Sequence, residues 1–188
     1  GYDYYNDKDY RETIYKDGAK LSHITYSYFN SLDDEGNPRL RQKINYSQID
    51  RYDYKNGDEL SYYENGQLRE KSNYIKNKKN GLFESYFNDG QLKVKANYIE
   101  DTKNGLEETF FDTGAIASRI NYKKNVKDGL SEIYRSSMGK SYLWHKTMWK
   151  DNYYKFDEYY FQEGQLNQRT IYENKEKRFF ELYYDNGN

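Results

Sequence analysis

Gly81-Leu82-Phe83-Glu84-Ser85-Tyr86-Phe87-Asn88-Asp89-Gly90-Gln91-Leu92-Lys93-Val94-Lys95-Ala96-Asn97-Tyr98 is one copy of a unit that the chain repeats. Gly57, Gly81, Gly105 and Gly129 fall 24 residues apart, and Gly66, Gly90 and Gly114 keep the same step. A period of this length marks a stack of supersecondary units in which each contacts its neighbours. Asn65-Gly66 and Asp89-Gly90 tolerate positive φ at both central positions, which predicts a two-residue type I′ hairpin at each. Residues whose numbers sum to 179 then face one another across Asp89-Gly90. Phe87 meets Leu92, Ser85 meets Val94 and Phe83 meets Ala96 on one side. Tyr86 meets Lys93 and Glu84 meets Lys95 on the other. The same rule sets Glu108 opposite Arg119 and Glu158 opposite Arg169, so three hairpins place an opposite-charge pair at one position. Such alternation suits antiparallel strands with an apolar side turned inward and a charged side turned outward.

Asn56-Gly57, Asn80-Gly81, Asn104-Gly105 and Asp128-Gly129 read as the turns at the other end of each hairpin. Helical spacing is absent over any useful length, and Pro38 follows the loop Asp33 to Asn37. The expected class is all-β, an elongated antiparallel β-meander of about seven 24-residue β-hairpin repeats. The chain reads as one array over 1–188. Residues 57–138 are regular, 1–56 hold divergent units with an acidic loop at 31–38, and 139–188 hold divergent units with the last one incomplete.

Composition narrows the function classes. Leu, Ile, Val and Phe supply only 33 of 188 residues, which would suit a disordered chain, but 25 tyrosines bring large rings and the net charge is only -1. Thirty basic against 31 acidic residues give no excess of positive charge for a nucleic acid partner. The chain has no cysteine, hence no disulfide and no thiolate metal site, and the compartment stays open on that ground. No apolar run approaches the length of a membrane span.

Four features are candidates for function. A basic stripe, Lys43, Lys71, Lys95, Arg119, Lys146 and Arg169, runs along the second strands, with Arg41, Arg69 and Lys93 two residues earlier. Glu84, Glu108 and Glu158 face it, so structural ion pairs are the simpler account of this stripe. An aromatic ladder, Tyr62, Tyr86, Phe110, Tyr134, Tyr160 and Tyr183, falls on the same charged side. Its rings serve either as a contact surface or as cover for Lys and Arg stems, and ring exposure separates the two readings. The irregular unit Ser141 to Trp149 holds both tryptophans. Trp149 takes the place of Tyr98, whereas Trp144 and Met148 land on the charged side as candidate partner anchors or as local packing. Catalytic and metal chemistry find little to use. His23 falls on the apolar side as a satisfied core residue, His145 has no spaced partner, and the Asp33-Asp34-Glu35 cluster lacks the spacing of a calcium loop. No cofactor is expected.

The pattern Gly-Leu-x-Glu-x-Tyr-Phe-x-x-Gly-x-Leu followed by Tyr, as in Gly81 to Tyr98, resembles the bacterial variant of the MORN repeat, seen in YwqK-type antitoxin proteins and in secreted or surface proteins. The resemblance implies a β-meander without enzymatic activity and tips the expected location towards the outside of the cytoplasm. The expectation is a non-enzymatic scaffold that binds a protein partner through its aromatic and charged face or its edge, in an antitoxin-like or an envelope role. The alternative is an extracellular carbohydrate- or cell-wall-binding module. Solenoids of that kind show shorter units with regularly placed tryptophans, whereas here two tryptophans share one unit. Partner identity and oligomeric state are not written in the residues.

Overall fold

The computed structural model describes residues 2–4, 9–17, 19–49, 52–151, 153–173 and 176–183. They form two compact units, Gly1–Leu92 with Tyr98–Asp101, and Lys93–Asn97 with Thr102–Asn188. The division falls within a regular repeat. The first unit holds β1 (Tyr2–Tyr4), β2 (Asp9–Lys16), β3 (Ala19–Leu32), β4 (Pro38–Ile49), β5 (Tyr52–Tyr62), β6 (Leu68–Ile75) and β7 (Lys78–Tyr86), hydrogen-bonded in sequence order. β8 (Leu92–Ile99) gives its middle residues to the second unit. There follow the short β9 (Thr102–Lys103), then β10 (Gly105–Phe110), β11 (Ile116–Lys123), β12 (Val126–Ser137), β13 (Lys140–Lys150), β14 (Tyr153–Tyr160), β15 (Leu166–Glu173) and β16 (Glu176–Leu182). β8 pairs with β10, and β10 to β16 again follow sequence order, every pair antiparallel. The expected all-β antiparallel meander is what the chain builds.

The turns differ from expectation in kind. At Tyr63 to Gln67, the Gly66 amide donates to the Tyr63 carbonyl at 2.9 Å and the Tyr63 amide donates to the Gln67 carbonyl at 2.8 Å. Gly66 has φ +85° while Asn65 keeps an ordinary φ. This is a three-residue loop, a type I turn closed by a left-handed glycine, and not a two-residue type I′ turn. Phe87 to Gln91, Phe111 to Ala115 and Phe161 to Gln165 repeat it. The acidic stretch Asp33 to Asn37 is the same turn, with the Asp33 carboxylate accepting the Glu35 and Asn37 amides. Those amides hold the Asp33 carboxyl below its ordinary pKa.

The type I′ turns lie at the opposite end of each hairpin. Lys76-Asn77, Glu100-Asp101 and Lys124-Asn125 have positive φ at both residues, and Ile75 pairs with Lys78 and Lys123 with Val126 around them. The Asn-Gly pairs expected there are inside or at the start of strands instead. Gly57, Gly81, Gly105 and Gly129, with φ near +100°, mark β-bulges. In the irregular unit Met138-Gly139 forms a two-residue turn between Ser137 and Lys140.

The pairing near the loops shifts accordingly. Thr109 faces Ser118 as the simple rule requires, but the next pair is Phe110 with Ile116, and likewise Tyr62 faces Leu68 and Tyr160 faces Leu166. A bulge absorbs the residue that the longer loop adds, so the charge pairs keep their places. The expected partner of the apolar position, Phe87 for Leu92 and its equivalents, is displaced by one residue in these three hairpins.

Faces follow from register, because directly opposed residues point to the same side. In the first unit one face carries Glu84 and Tyr86, and in the second one face carries Glu108 and Arg119; each is called the ladder face of its unit. The opposite face carries Ser61, Ser72, Glu59 and Tyr74 in the first unit and Glu107, Tyr122, Ser131, Thr147 and Trp149 in the second. It is not the apolar core that the alternation suggested. Ala96 is the one buried hydrophobic residue among those described, beside buried Ser61, Ser72, Glu107, Ser131, Thr147 and Thr170. Neighbouring long side chains lie over these small ones, as Lys and Tyr stems do when no second layer exists.

Successive hairpins are tied at both ends. The Asn77 amide donates to the Lys55 carbonyl at 3.0 Å while the Lys55 amide donates to Asn77 Oδ1 at 2.7 Å. Asp101 with Lys79 and Asn125 with Lys103 make the same two bonds. At the loop end, Tyr63 Oη donates to the Tyr86 carbonyl at 2.8 Å and Asn65 Nδ2 to the Asn88 carbonyl at 2.7 Å. The bonds of Asn77, Asp101 and Asn125 offset the roughly 1 to 2 kcal/mol that a left-handed non-glycine residue costs.

Candidate functional site

The ladder face of the second unit carries a row of alternating charge. Lys95, Glu108, Arg119, Glu132, Lys146, Glu158, Arg169 and Glu181 face one another in succession across β8 and β10 to β16. Arg119 Nε donates to Glu108 Oε1 at 3.1 Å, and Arg169 Nε to Glu158 Oε1 at 2.8 Å. Glu84 and Lys95 belong to different units, where Glu84 faces Lys71 and Lys95 faces Glu108. Inside this row each cation stands between two carboxylates, so the basic stripe is compensated and presents no run of like charge.

The aromatic ladder is bound into the same row. Tyr86 Oη donates to Glu84 Oε2 at 3.0 Å, Tyr134 to Glu132 at 3.1 Å, Tyr160 to Glu158 at 2.7 Å, and Tyr183 to Glu181. Burial and the adjacent carboxylate raise the pKa of Tyr86, Tyr134 and Tyr160, the last to about 12. Phe110 has no hydroxyl to offer Glu108. All the ladder rings, Tyr62 included, are half-buried.

The opposite face holds a second periodic set that the sequence reading missed. Lys55 Nζ lies 5.0 Å from the Tyr74 ring, Lys79 5.0 Å from Tyr98, Lys103 5.1 Å from Tyr122, and Lys127 4.8 Å from Trp149. Gly57, Gly105 and Gly129 stand opposite Tyr74, Tyr122 and Trp149. The signal was a lysine two residues before each bulge glycine, hidden because that segment was read as a turn.

Trp149 thus takes the tyrosine place as expected, its Nε1 donating to Thr147 Oγ1 at 2.9 Å. Met148 lies on the ladder-face side, opposite Leu130 and Phe156. Trp144 does not point to the charged side. The Arg135 guanidinium sits 3.8 Å over its ring, and it meets the edge of Tyr159, which stacks at 4.3 Å on His145. His145, expected to be alone, hydrogen-bonds Asp157. Register turns His145 and Tyr159 to the side away from Glu158.

His23 is the largest fully buried side chain among the described residues, 2% exposed, stacked 4.5 Å from Tyr46. It is not satisfied: Nδ1 has no hydrogen-bond partner and lies 3.8 Å from Asp53 Oδ1. Burial, with Lys20 and Arg11 adding to it, lowers its pKa to about 4 and keeps the ring neutral at pH 7.

Large apolar side chains are exposed beside the turn ends of the strands. In the first unit these are Tyr52 at 70%, Ile75 at 50% and Ile99 at 50%, and in the second Val126 and Tyr153. This rim was not singled out by periodicity, because its members differ in type. Among the described residues no helix is long and apolar enough to cross a membrane.

Comparison with known proteins finds no match among curated ones. Three consecutive segments, residues 55–76, 79–100 and 103–124, match the family model of the MORN repeat variant.

Proposed function

We propose that the chain is a non-enzymatic repeat scaffold that binds a protein partner through the rim of exposed side chains at its turn ends. The observation that carries this reading is the exposure of Tyr52, Ile75 and Ile99, about one large apolar group per hairpin. Exposed apolar groups grouped in this way mark interaction surfaces. The ladder face plays the orienting part, since its rings are half-buried and its charges alternate. The MORN repeat match supports a scaffold, and an antitoxin-like or an envelope role is set by which partner is captured.

A photoreactive benzoylphenylalanine placed at Ile75 or Ile99, and separately at Tyr86 or Tyr134, tests the surface in lysate of the native host. The rim positions should yield one shared adduct, competed away by excess unmodified chain, and the ladder positions none. Adducts from the ladder alone would refute the proposal.

A further inference from the structure

On the opposite face of the first unit, one hairpin departs from its copies. Glu59, Ser61, Glu70 and Ser72 occupy positions that the next hairpin fills with Phe83, Ser85, Val94 and Ala96 and the one after it with Glu107, Thr109, Ser118 and Ile120, so the second carboxylate, Glu70, and Ser72 are what set this hairpin apart. The surrounding frame is kept, with Lys55 over Tyr74 as Lys79, Lys103 and Lys127 lie over the rings of the three following hairpins. A local break in a repeated pattern, with the frame retained, points to a site.

The break lines a hollow of about 240 Å³ whose walls include Lys55, Glu59, Glu70, Tyr74, Arg69 and Lys79, with Gln42 at one side. Ser61 and Ser72, 6% and 5% exposed, lie at its lining. Ser61 Oγ has no hydrogen-bond partner, which costs a buried hydroxyl about 1 to 3 kcal/mol unless something supplies one. Part of the wall is fixed in advance. Glu59 Oε1 accepts Gln42 Nε2 at 2.7 Å and Lys55 Nζ at 3.0 Å, and Lys55 also reaches Glu59 Oε2 at 3.1 Å.

The lining sets the chemistry of the occupant. Three cations, Lys55, Arg69 and Lys79, mix with two carboxylates, Glu59 and Glu70, so the lining holds one net positive charge and offers hydrogen-bond donors and acceptors side by side. A neutral hydroxyl donates to a carboxylate and accepts from an ammonium or guanidinium at once. The volume is below the roughly 300 to 1,000 Å³ of sites for drug-sized molecules, and Tyr74 offers a ring face. We propose that this hollow binds a neutral polyhydroxylated molecule the size of one sugar ring, with hydroxyls on Ser61, Glu70 and Arg69. The site is independent of the rim and of any protein partner.

The test is titration of the isotopically labelled chain with D-glucose and with myo-inositol, against sodium sulfate, followed by amide shifts. At least one polyol should shift Ser61 and Ser72 saturably in the millimolar range, and sulfate should not. Ser61→Ala should weaken that binding about fivefold, the worth of one hydrogen bond, and raise the melting temperature of the ligand-free chain by removing the unpaired hydroxyl. Glu70→Gln should weaken it similarly. No saturable shift with either polyol, an equal response to sulfate, or a Ser61→Ala chain that melts lower and binds unchanged would each overturn the proposal.

Discussion

Glu158→Gln removes one negative charge from the best-bonded point of the alternating row. Glu158 is 7% exposed, its Oε1 accepts both Arg169 Nε and Nη2 at 2.8 Å, and its Oε2 accepts the Tyr160 hydroxyl at 2.7 Å. Gln keeps the shape and one acceptor oxygen, but the charge that strengthens all three bonds is lost. Hydrogen bonds to a charged group contribute about 1.5 to 3 kcal/mol each, and the Arg169 side chain is 39% exposed, so water replaces part of what it loses. The expected cost is about 2 to 3 kcal/mol. Glu108→Gln is the internal comparison. Glu108 makes one bond of 3.1 Å to an Arg119 that is 42% exposed, and Phe110 gives it no hydroxyl, so its loss should cost only about 0.5 to 1 kcal/mol. Urea midpoints for the single and double variants, with Arg169→Met and Arg119→Met as second partners, give two coupling energies. They should be about 1.5 kcal/mol for Glu158 with Arg169 and about 0.5 kcal/mol for Glu108 with Arg119. Equal costs, or a Glu158 coupling indistinguishable from zero, would refute the claim that the row is a structural element and return its charges to the pool of residues available for contact.

Three further outcomes follow from the geometry. His23 titrates near 4 folded against about 6.5 unfolded, so the unfolded chain binds more protons between those values and stability falls with acid through that window by about 3 kcal/mol; His23→Phe should remove that part of the difference between melts at pH 7.5 and pH 4. Gly129→Ala and Gly105→Ala share a strained φ near +100°, but an added Cβ at 129 comes within 3.2 Å of Asn121 Cβ and at 105 meets nothing, so calorimetry should show Gly129→Ala costing about 1 kcal/mol more. Lys76→Asn places a residue that tolerates the left-handed region at the first turn position and should stabilise by about 0.5 kcal/mol, whereas Asn77→Gly gives up its bond to the Lys55 amide and should not, as read from thermal midpoints.

The 24-residue step and the alternation of charge made the hairpins and their order legible, since both depend on residue type alone. Turn type was misread because Asn65-Gly66 and Asp89-Gly90 suit either loop, although Thr113-Gly114 and Glu163-Gly164 held the answer. Thr and Glu are poor at positive φ, and the three-residue loop asks it only of the glycine that follows. The opposite error concerned Lys76-Asn77 and Lys124-Asn125, where contacts to the neighbouring hairpin hold residues that local preference disfavours. The pairs Glu108 with Arg119 and Glu158 with Arg169 kept their places because the loop and the bulge each add one residue on the way round. The expectation of an apolar core failed for another reason: Ser61, Ser72, Thr147 and Thr170 are covered by long neighbours in a single layer, which alternation does not reveal. The rim and the hollow left little trace, the first through its mixed residue types and the second because it appears only when one hairpin is compared with its copies.

Every assignment of a residue to the ladder face, the opposite face or the rim rests on register, since a slip of one residue exchanges the faces. Cross-strand nuclear Overhauser contacts at the loop ends measure it directly. The account predicts contacts of Phe110 with Ile116 and of Tyr160 with Leu166, together with Thr109 to Ser118 beyond the bulge. Contacts of Phe111 with Ile116 and of Phe161 with Leu166 in their place would contradict it.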